Sequence, residues 1–256
     1  MVTVRIFDNE PFVNTGWDPK SKAVSIPSGP WAKATLNFLA VSAGDGYDRF
    51  YSVAANNMEL HRGITPFGGS IASSEDVTNF SRIFSGSVNF QLILTTWGAG
   101  GWRVTLTLDL EPGSPPNLFP MPIMLWQTTE TSSPIRVPVS INSPGGILVL
   151  HATGHYYEEG LNRYVSVKAD GSELMRVLAT RWIPGQGRIA PYVKEVGAFR
   201  CNEINSQVES GGKYWKLSLS FLNRGAQAPR PISLFGIVPF FFGLLLVGLT
   251  LWPKPR

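Results

Sequence analysis

Apolar residues at every second position limit the fold of this chain more than any other feature of its sequence. Residues 32–40 alternate alanine, leucine and phenylalanine with polar residues such as Lys33 and Asn37, and residues 215–221 repeat the pattern. This period places the apolar side chains on one face of a β-strand. No segment before Asn223 shows the 3.6-residue repeat of an amphipathic helix, so the sequence predicts an all-β fold.

Turn residues indicate how the predicted strands are joined. Residues 90–94 and 104–110 flank a glycine-rich turn and are predicted to form a hairpin, as are residues 164–168 and 174–178 around an Asp-Gly dipeptide. A third hairpin is predicted within residues 47–62, because its central Asn-Asn dipeptide tolerates the positive φ angles of tight turns.

A segment rich in proline and glycine divides the predicted strands into two groups. Residues 111–117 cannot continue a sheet, because three prolines and one glycine interrupt its hydrogen bonds. We therefore predict two β-sandwich domains, residues 1–113 and residues 114–223. A chain of 256 residues has room for two domains of ordinary size.

The end of the chain has a different composition. Residues 232–252 form a run of 21 residues without a charge, which is long enough to cross a bilayer as a helix. The sequence predicts a linker over residues 224–231, a transmembrane helix over residues 232–252 and a short basic tail over residues 253–256. A lipid-anchor signal that is removed during maturation is the alternative interpretation.

Charge and cysteine content exclude several classes of protein. The formal net charge of +4 comes from 22 basic and 18 acidic residues, and four of the basic residues follow Leu222. The rest of the chain is neutral and has no basic stripe, so no nucleic-acid partner is expected. The single cysteine, Cys201, allows no intrachain disulfide, and Met1 leads into a predicted strand rather than a signal peptide.

Carboxylates are the side chains best suited to catalysis in this sequence. Asp48 lies among aromatic residues beside Arg49, where burial would raise its pKa and the guanidinium would lower it. Glu158 and Glu159 form an acidic pair in the second half, and a cleft between domains could bring them close to Asp48. The alternatives are a structural ion pair for Asp48 and a solvated loop for the two glutamates.

Histidine spacing argues against a metal centre. His151 and His155 lie about 13 Å apart if they share one strand, and His61 is remote in the sequence. Cys201 has no partner at a metal-binding spacing, and no glycine-rich phosphate loop joins a strand to a helix. The sequence therefore predicts neither a metal nor a cofactor.

Several short motifs are similar, in order and spacing, to the peptide-N-glycosidase F family. They lie at residues 47–50, 61–67, 76–80, 95–97 and 154–163. The resemblance implies two eight-stranded jelly rolls packed side by side, with a glycan-binding cleft between them. It also implies hydrolysis of the amide bond between asparagine and the first N-acetylglucosamine of an N-glycan, with an N-glycosylated peptide as the partner.

The same resemblance implies roles for individual residues. Asp48 and Glu159 would be the catalytic acids. Arg49 and Arg62 would orient a carboxylate and the sugar, and Trp97 would line the cleft. Further substrate-binding residues would be His155 and Glu158.

The sequence also departs from the family at the expected site. Thr95 stands where the family has a third acid, two residues before the tryptophan, and Gly160 stands where an aromatic residue would follow the second acid. If the loop gap falls differently, Glu158 instead of Glu159 is the second acid. Two functions follow: a membrane-anchored glycoamidase outside the cytoplasm, or an inactive jelly-roll protein that binds glycans or acts at the cell surface.

Overall fold

The alternating segments form sixteen strands in the part of the chain that the structure, a computed structural model, describes: residues 1–129, 133–159, 161–179, 183–209 and 214–225. The strands of the first half are β1 (Val2–Val13), β2 (Lys20–Ile26), β3 (Trp31–Ala43), β4 (Phe50–Ala55), β5 (Met58–Ile64), β6 (Ser70–Asp76), β7 (Gly86–Leu94) and β8 (Gly101–Pro112). Those of the second half are β9 (Phe119–Thr128), β10 (Ile135–Ser143), β11 (Gly146–Gly154), β12 (Arg163–Ala169), β13 (Ser172–Ala179), β14 (Tyr192–Val196), β15 (Phe199–Val208) and β16 (Trp215–Asn223). Two short 3-10 helices, Thr78–Ile83 and Tyr156–Glu158, interrupt them.

The strands pair into four antiparallel sheets of four strands each. The first half forms sheets of order β1-β8-β3-β6 and β2-β7-β4-β5, and the second half repeats both orders as β9-β16-β11-β14 and β10-β15-β12-β13. These two orders, in which the chain changes sheets at every connection except β4–β5 and β12–β13, are the strand orders of a jelly roll. The all-β prediction is therefore confirmed, whereas the predicted boundary between residues 113 and 114 stays a prediction.

Two of the predicted hairpins are present. β4 and β5 pair around Asn56 and Asn57, whose φ angles of 47° and 64° are the positive values that such a turn requires. β12 and β13 pair around Asp170 and Gly171, which also have positive φ. In β3 the predicted alternation holds except at Ala32, which is exposed because a register irregularity follows Trp31.

The hairpin predicted from residues 90–94 and 104–110 is wrong. β7 pairs with β2 and β4, whereas β8 pairs with β1 and β3 in the opposite sheet. The alternating residues of both strands are buried, but they face each other across the sandwich core. Alternation specifies the buried face of a strand and leaves its hydrogen-bonding partner undetermined.

The two sandwiches share apolar surface. One cluster of buried residues contains the core of the first sandwich together with Ile147, Val149 and Leu222 of β11 and β16, and a second cluster fills the other sandwich. β11 is buried along its whole length, because one face lies in its own core and the other faces the first sandwich. This explains why residues 147–151 have so little polar surface.

A loop of the second half covers an edge strand of the first. The amide N–H of Ile64 donates to the Gln186 carbonyl at 2.9 Å, and the amide N–H of Ile189 donates to the Arg62 carbonyl at 2.8 Å. An uncovered edge strand would expose these groups for pairing with another chain. The loop therefore holds β5 in place beside the second sandwich.

The described residues include no helix with the length and apolar character needed to span a membrane. The predicted transmembrane segment, residues 232–252, lies outside the described residues, as do the basic tail and most of the predicted linker.

Candidate functional site

A cavity of about 230 Å³ opens where loops of the two sandwiches meet. The first sandwich and its loops contribute Trp17, Tyr47, Asp48, Arg49, Thr95 and Trp97. The second contributes His155, Tyr156 and Glu159. Five of the seven residues assigned to the site from the sequence thus line one cavity, and the two assigned catalytic acids come from different sandwiches.

Asp48 and Arg49 lie in the loop that leads into β4, and Arg49 is fixed there by an acid that the sequence did not single out. The Arg49 side chain donates from Nε and Nη2 to Asp45 at 2.7 and 3.0 Å. Its amide N–H donates to the Thr65 hydroxyl at 2.7 Å. Asp45 is thus an ionic partner of Arg49, and Asp48 lies half-buried at the cavity wall.

Aromatic rings form much of the wall on the side of the first sandwich. The guanidinium of Arg49 lies 5.1 Å from the ring centres of both Tyr47 and Trp97, within range of a cation–π contact. Trp97 packs edge to face against Trp17 at 6.5 Å. Both Tyr47 and Trp97 keep large exposed surfaces, so flat apolar faces are open to a ligand.

His155 lies on the buried side of the cavity, at the end of β11. Its ring packs edge to face against Trp17 and Phe50, with both ring centres 4.8 Å away. Nε2 is 3.0 Å from the Thr153 hydroxyl. Burial, and then the positive charges of Arg62 and Lys216, hold the pKa of His155 well below its usual range, so the ring is neutral at neutral pH.

The chain turns sharply after β11 and brings Glu159 to the cavity. Gly154 allows this turn, since a Cβ there would lie 2.7 Å from the Glu158 carbonyl oxygen. The carboxylate of Glu159 accepts a hydrogen bond from the Tyr156 amide N–H at 3.0 Å. Burial and the nearby charge of Asp48 raise the pKa of Glu159, although the hydrogen bond from Tyr156 acts in the opposite direction.

The neighbouring Glu158 has a different environment and does not line the cavity. Its two oxygens accept hydrogen bonds from Arg163 at 2.9 and 3.2 Å, and the Trp215 indole donates to it at 3.1 Å. The hydrogen bond from Arg163 lowers the pKa of Glu158, and it outweighs burial, which would raise it. These partners orient Glu158 toward the second sandwich.

Arg62 is also placed away from the cavity wall. Its side chain is fully buried and donates to both oxygens of Glu59 at 2.6 and 2.7 Å. It also donates to the Thr153 hydroxyl at 2.8 Å and to the Lys216 carbonyl at 2.9 Å, so it joins the two sandwiches. Burial alone would raise the pKa of Glu59, but Arg62 lowers it to about 2.

Sequence reasoning missed Trp17, Tyr156 and Asp45 at this site. Trp17 lies in the loop between β1 and β2, thirty-one positions before Asp48, and no local motif connects the two. Its indole N–H donates to the Tyr156 hydroxyl at 3.1 Å, across the junction of the sandwiches. A contact between residues so distant in sequence has no signal in the pattern of either segment.

The cavity combines two carboxyl groups, of which Glu159 has a raised pKa, with exposed aromatic side chains. A carboxyl with a raised pKa can donate a proton at a pH where a second carboxyl accepts one, which is the requirement for paired acid–base catalysis. No three potential ligand side chains come together to hold a metal ion within the described ranges. The carboxyl groups of Asp48 and Glu159, which line the cavity, can supply proton transfer.

Sequence comparison alone finds no relative: no protein-family model matches the chain, and a search of curated proteins gives no match. Solved structures do match. A structure of PNGF-II has a TM-score of 0.73 at 16% identity, and the match covers 90% of this chain and 66% of PNGF-II. The chain therefore spans slightly less than two thirds of the length of PNGF-II.

Two further structures match over nearly their whole length. PNGase F, described as a glycosylasparaginase from Flavobacterium meningosepticum, has a TM-score of 0.67 at 13% identity, and the match covers 88% of this chain and 96% of that protein. A peptide-N(4)-(N-acetyl-beta-D-glucosaminyl) asparagine amidase has a TM-score of 0.66 at 13% identity, covering 89% and 98%. Identities this low establish the fold alone. The resemblance indicated by the sequence motifs is thereby confirmed: the chain has a PNGase F-like fold.

Proposed function

We propose that this protein is a glycoamidase that hydrolyses the amide bond between asparagine and the first N-acetylglucosamine of N-glycosylated peptides. The observation that carries the proposal is the meeting of Asp48 and Glu159 in one cavity between two jelly rolls. The PNGase F-like fold supports it, because proteins of that fold include one described as a peptide-N(4)-(N-acetyl-beta-D-glucosaminyl) asparagine amidase.

The two acids have different roles in the proposed reaction. Asp48 takes a proton from water as the water oxygen attacks the side-chain carbonyl carbon of asparagine. The carbon–nitrogen bond then breaks, and its electron pair stays on the nitrogen of the sugar. Glu159, whose raised pKa favours the protonated form, gives its proton to that nitrogen. The products are a glycosylamine and a peptide that carries aspartate.

The remaining cavity residues suit a sugar ring. Trp97 and Tyr47 offer exposed aromatic faces, which stack against the apolar face of a pyranose. Arg49 is held by Asp45 between these rings and can donate to a hydroxyl or carbonyl oxygen of the substrate. The cavity volume of about 230 Å³ is below the range of about 300–1,000 Å³ for larger ligands, which favours recognition of the first sugar.

The proposal is tested by incubating the full chain with a denatured glycopeptide in heavy-oxygen water. We expect mass spectrometry to find free glycan and a peptide in which aspartate, carrying one heavy oxygen, has replaced asparagine. Release of glycan with N-acetylglucosamine still attached to asparagine would indicate cleavage between sugars and would contradict the proposal. The variant Asp48→Asn, which keeps the shape of the side chain, is the matched control.

Thr95 supports an alternative function. The residue lines the cavity but is buried, and its hydroxyl donates to the Phe50 carbonyl at 3.3 Å, so it supplies no carboxylate to a substrate. The sequence resemblance implies an acid at this position. A protein that binds glycans without turnover is therefore the second candidate, and it predicts saturable binding of chitobiose with no conversion of asparagine.

The proposed location follows from the sequence. The uncharged residues 232–252 would anchor the protein to a membrane, with the two sandwiches on the extracytoplasmic side where N-glycosylated substrates occur. Protease protection of the full chain in sealed membrane vesicles tests this part of the proposal. Cleavage of the sandwiches only from the cytoplasmic side would contradict it.

A further inference from the structure

We infer that Tyr156 and Trp17 form a latch between the two sandwiches that positions Glu159 for catalysis. The inference rests on the proposed function for its catalytic consequence, and on geometry for the latch itself. Tyr156 bonds to Glu159 through its backbone and to Trp17 through its side chain. It is therefore a positioning residue, which acts on the reaction through Glu159.

The backbone of Tyr156 holds Glu159 in place. Its φ angle of 57° lies in the left-handed region, which a residue with a side chain adopts at a cost and keeps only when its surroundings require it. In this conformation its amide N–H points at the Glu159 carboxylate, at 3.0 Å, and its carbonyl accepts the Glu159 amide N–H at 3.3 Å. This reciprocal pair of bonds fixes both the backbone and the rotamer of Glu159.

The side chain of Tyr156 contacts the first sandwich. Its hydroxyl accepts the Trp17 indole N–H at 3.1 Å, and its ring packs edge to face against Tyr214 at 5.3 Å. Trp17 is itself held by edge-to-face contacts with His155 and Trp97. The bond to Trp17 thus ties the turn that carries Glu159 to the sandwich that carries Asp48.

The consequence concerns the separation of the two acids. Asp48 and Glu159 belong to different sandwiches, so their relative position depends on contacts that cross the junction. The Trp17–Tyr156 bond makes such a contact at the cavity itself. Small displacements of a catalytic group reduce rates strongly, so loss of this bond should affect the chemical step more than substrate affinity.

The decisive variant is Tyr156→Phe, which removes the hydroxyl and keeps the ring and the backbone conformation. We expect kcat on a glycopeptide to fall about tenfold, equivalent to about 1.4 kcal/mol, while KM changes less than twofold. Tyr157→Phe is the matched control, because Tyr157 is the adjacent residue, is 89% exposed and does not line the cavity. It should leave both constants unchanged.

A readout that does not depend on turnover separates the latch from the proposed function. In carbon NMR of the full chain, the Glu159 carboxyl should titrate above the ordinary glutamate range in the unaltered protein. In Tyr156→Phe its midpoint should return toward that range, because the turn is no longer tied to Trp17 and carries Glu159 away from Asp48 and into solvent. If the unaltered protein has no activity, the proposed function fails, and this titration still decides the inference.

A second variant breaks the same bond from its other side, so that the test does not depend on correct folding of Tyr156→Phe alone. Trp17→Phe removes the donor of the same bond, and the double variant should lose no more in kcat than the larger single loss, because both changes break one interaction. Wild-type kcat and an unchanged Glu159 titration in Tyr156→Phe would overturn the inference. Additive losses in the double variant would also overturn it, since they would show that the two residues act independently.

Discussion

Two groups of charged residues lie where the sandwiches meet, and they differ in burial and in the sign of the neighbouring charge. In the buried group, Arg62 and Glu59 form a bidentate pair with no exposed side-chain surface, and Arg62 makes two more bonds to the second sandwich. In the cavity group, Asp48 and Glu159 face one opening and repel each other. The same residue types therefore stabilise the junction in one place and are available for chemistry in the other.

The difference shows what separates a structural charge from a functional one. Burying a charge is costly unless its partner and hydrogen bonds are complete, and a completed pair has little capacity left for a substrate. Arg62 meets this description, which argues against the sugar-orienting role implied by the sequence resemblance. Glu159 does not meet it, because the neighbouring charge is that of another acid, Asp48. The surroundings of the side chain, rather than its position in a sequence motif, therefore distinguish the structural Arg62 from Glu159.

The first prediction concerns the cavity group and has the largest expected effect. Asp48→Asn should reduce kcat by about 10²–10⁴-fold, because the amide cannot accept the proton of the attacking water. Its thermal midpoint should stay close to that of the unaltered protein, since Asp48 is half-buried at an open wall. Glycopeptide turnover and thermal unfolding measure the two quantities. Unaltered kcat would remove Asp48 from the mechanism.

The second prediction applies the opposite change to the buried group. Arg62→Met leaves Glu59 buried without its partner and should lower the free energy of unfolding by about 3–5 kcal/mol in denaturant titration. Arg5→Ala, which breaks the exposed pair with Asp8, is the control and should cost less than about 1 kcal/mol. Equal losses in the two variants would contradict the contrast between buried and exposed pairs.

The sequence could predict what depends on local pattern. The buried faces of β3 and β16, the turns at Asn56 and Asp170 and the central position of β11 all follow from alternation and turn chemistry. It could not predict which sheet a strand joins, so β7 and β8 were wrongly paired. Within each sandwich every connection except β4–β5 and β12–β13 joins strands of different sheets, and the pattern of each strand is the same in either arrangement.

The site was predictable only in part, for a related reason. The family resemblance pointed to Asp48, Arg49, Trp97, His155 and Glu159, which line one cavity. The identity of the partner of Arg49 depends on how its loop folds back, and the Trp17–Tyr156 bond joins segments 139 positions apart. Such contacts depend on the packing of the two sandwiches, which no local spacing encodes.

The third prediction uses pH to examine the buried side of the junction. Burial lowers the pKa of His61 to about 3 and that of His151 to about 4, from an ordinary value near 6.5. Between these limits the unfolded chain binds protons that the folded chain does not, so stability falls as the pH is lowered from about 6.5 toward 4. Each histidine contributes up to about 1.4 kcal/mol per pH unit in this window.

Denaturant titrations at several pH values test this dependence. His151→Gln should reduce the slope of the unfolding free energy against pH, because glutamine does not titrate. The reduction should be at most the contribution of one proton, about 1.4 kcal/mol per pH unit. Above pH 7 the histidine is neutral in the folded and unfolded states, so there the substitution should not change how stability depends on pH. A slope equal to that of the unaltered protein between pH 4 and pH 6.5 would contradict the assignment of His151 as a neutral buried group.

The last prediction compares two adjacent glutamates, and the loss of stability that it expects is the smallest. Glu158→Gln should lower the free energy of unfolding by about 1–2 kcal/mol, because it weakens charged hydrogen bonds with Arg163 and Trp215. It should change kcat less than about threefold, whereas Glu159→Gln should lower kcat by about 10²-fold and leave stability nearly unaltered. Turnover and denaturant unfolding of both variants provide the comparison. The reverse assignment, in which Glu158 is the second acid, predicts that the two variants exchange these results.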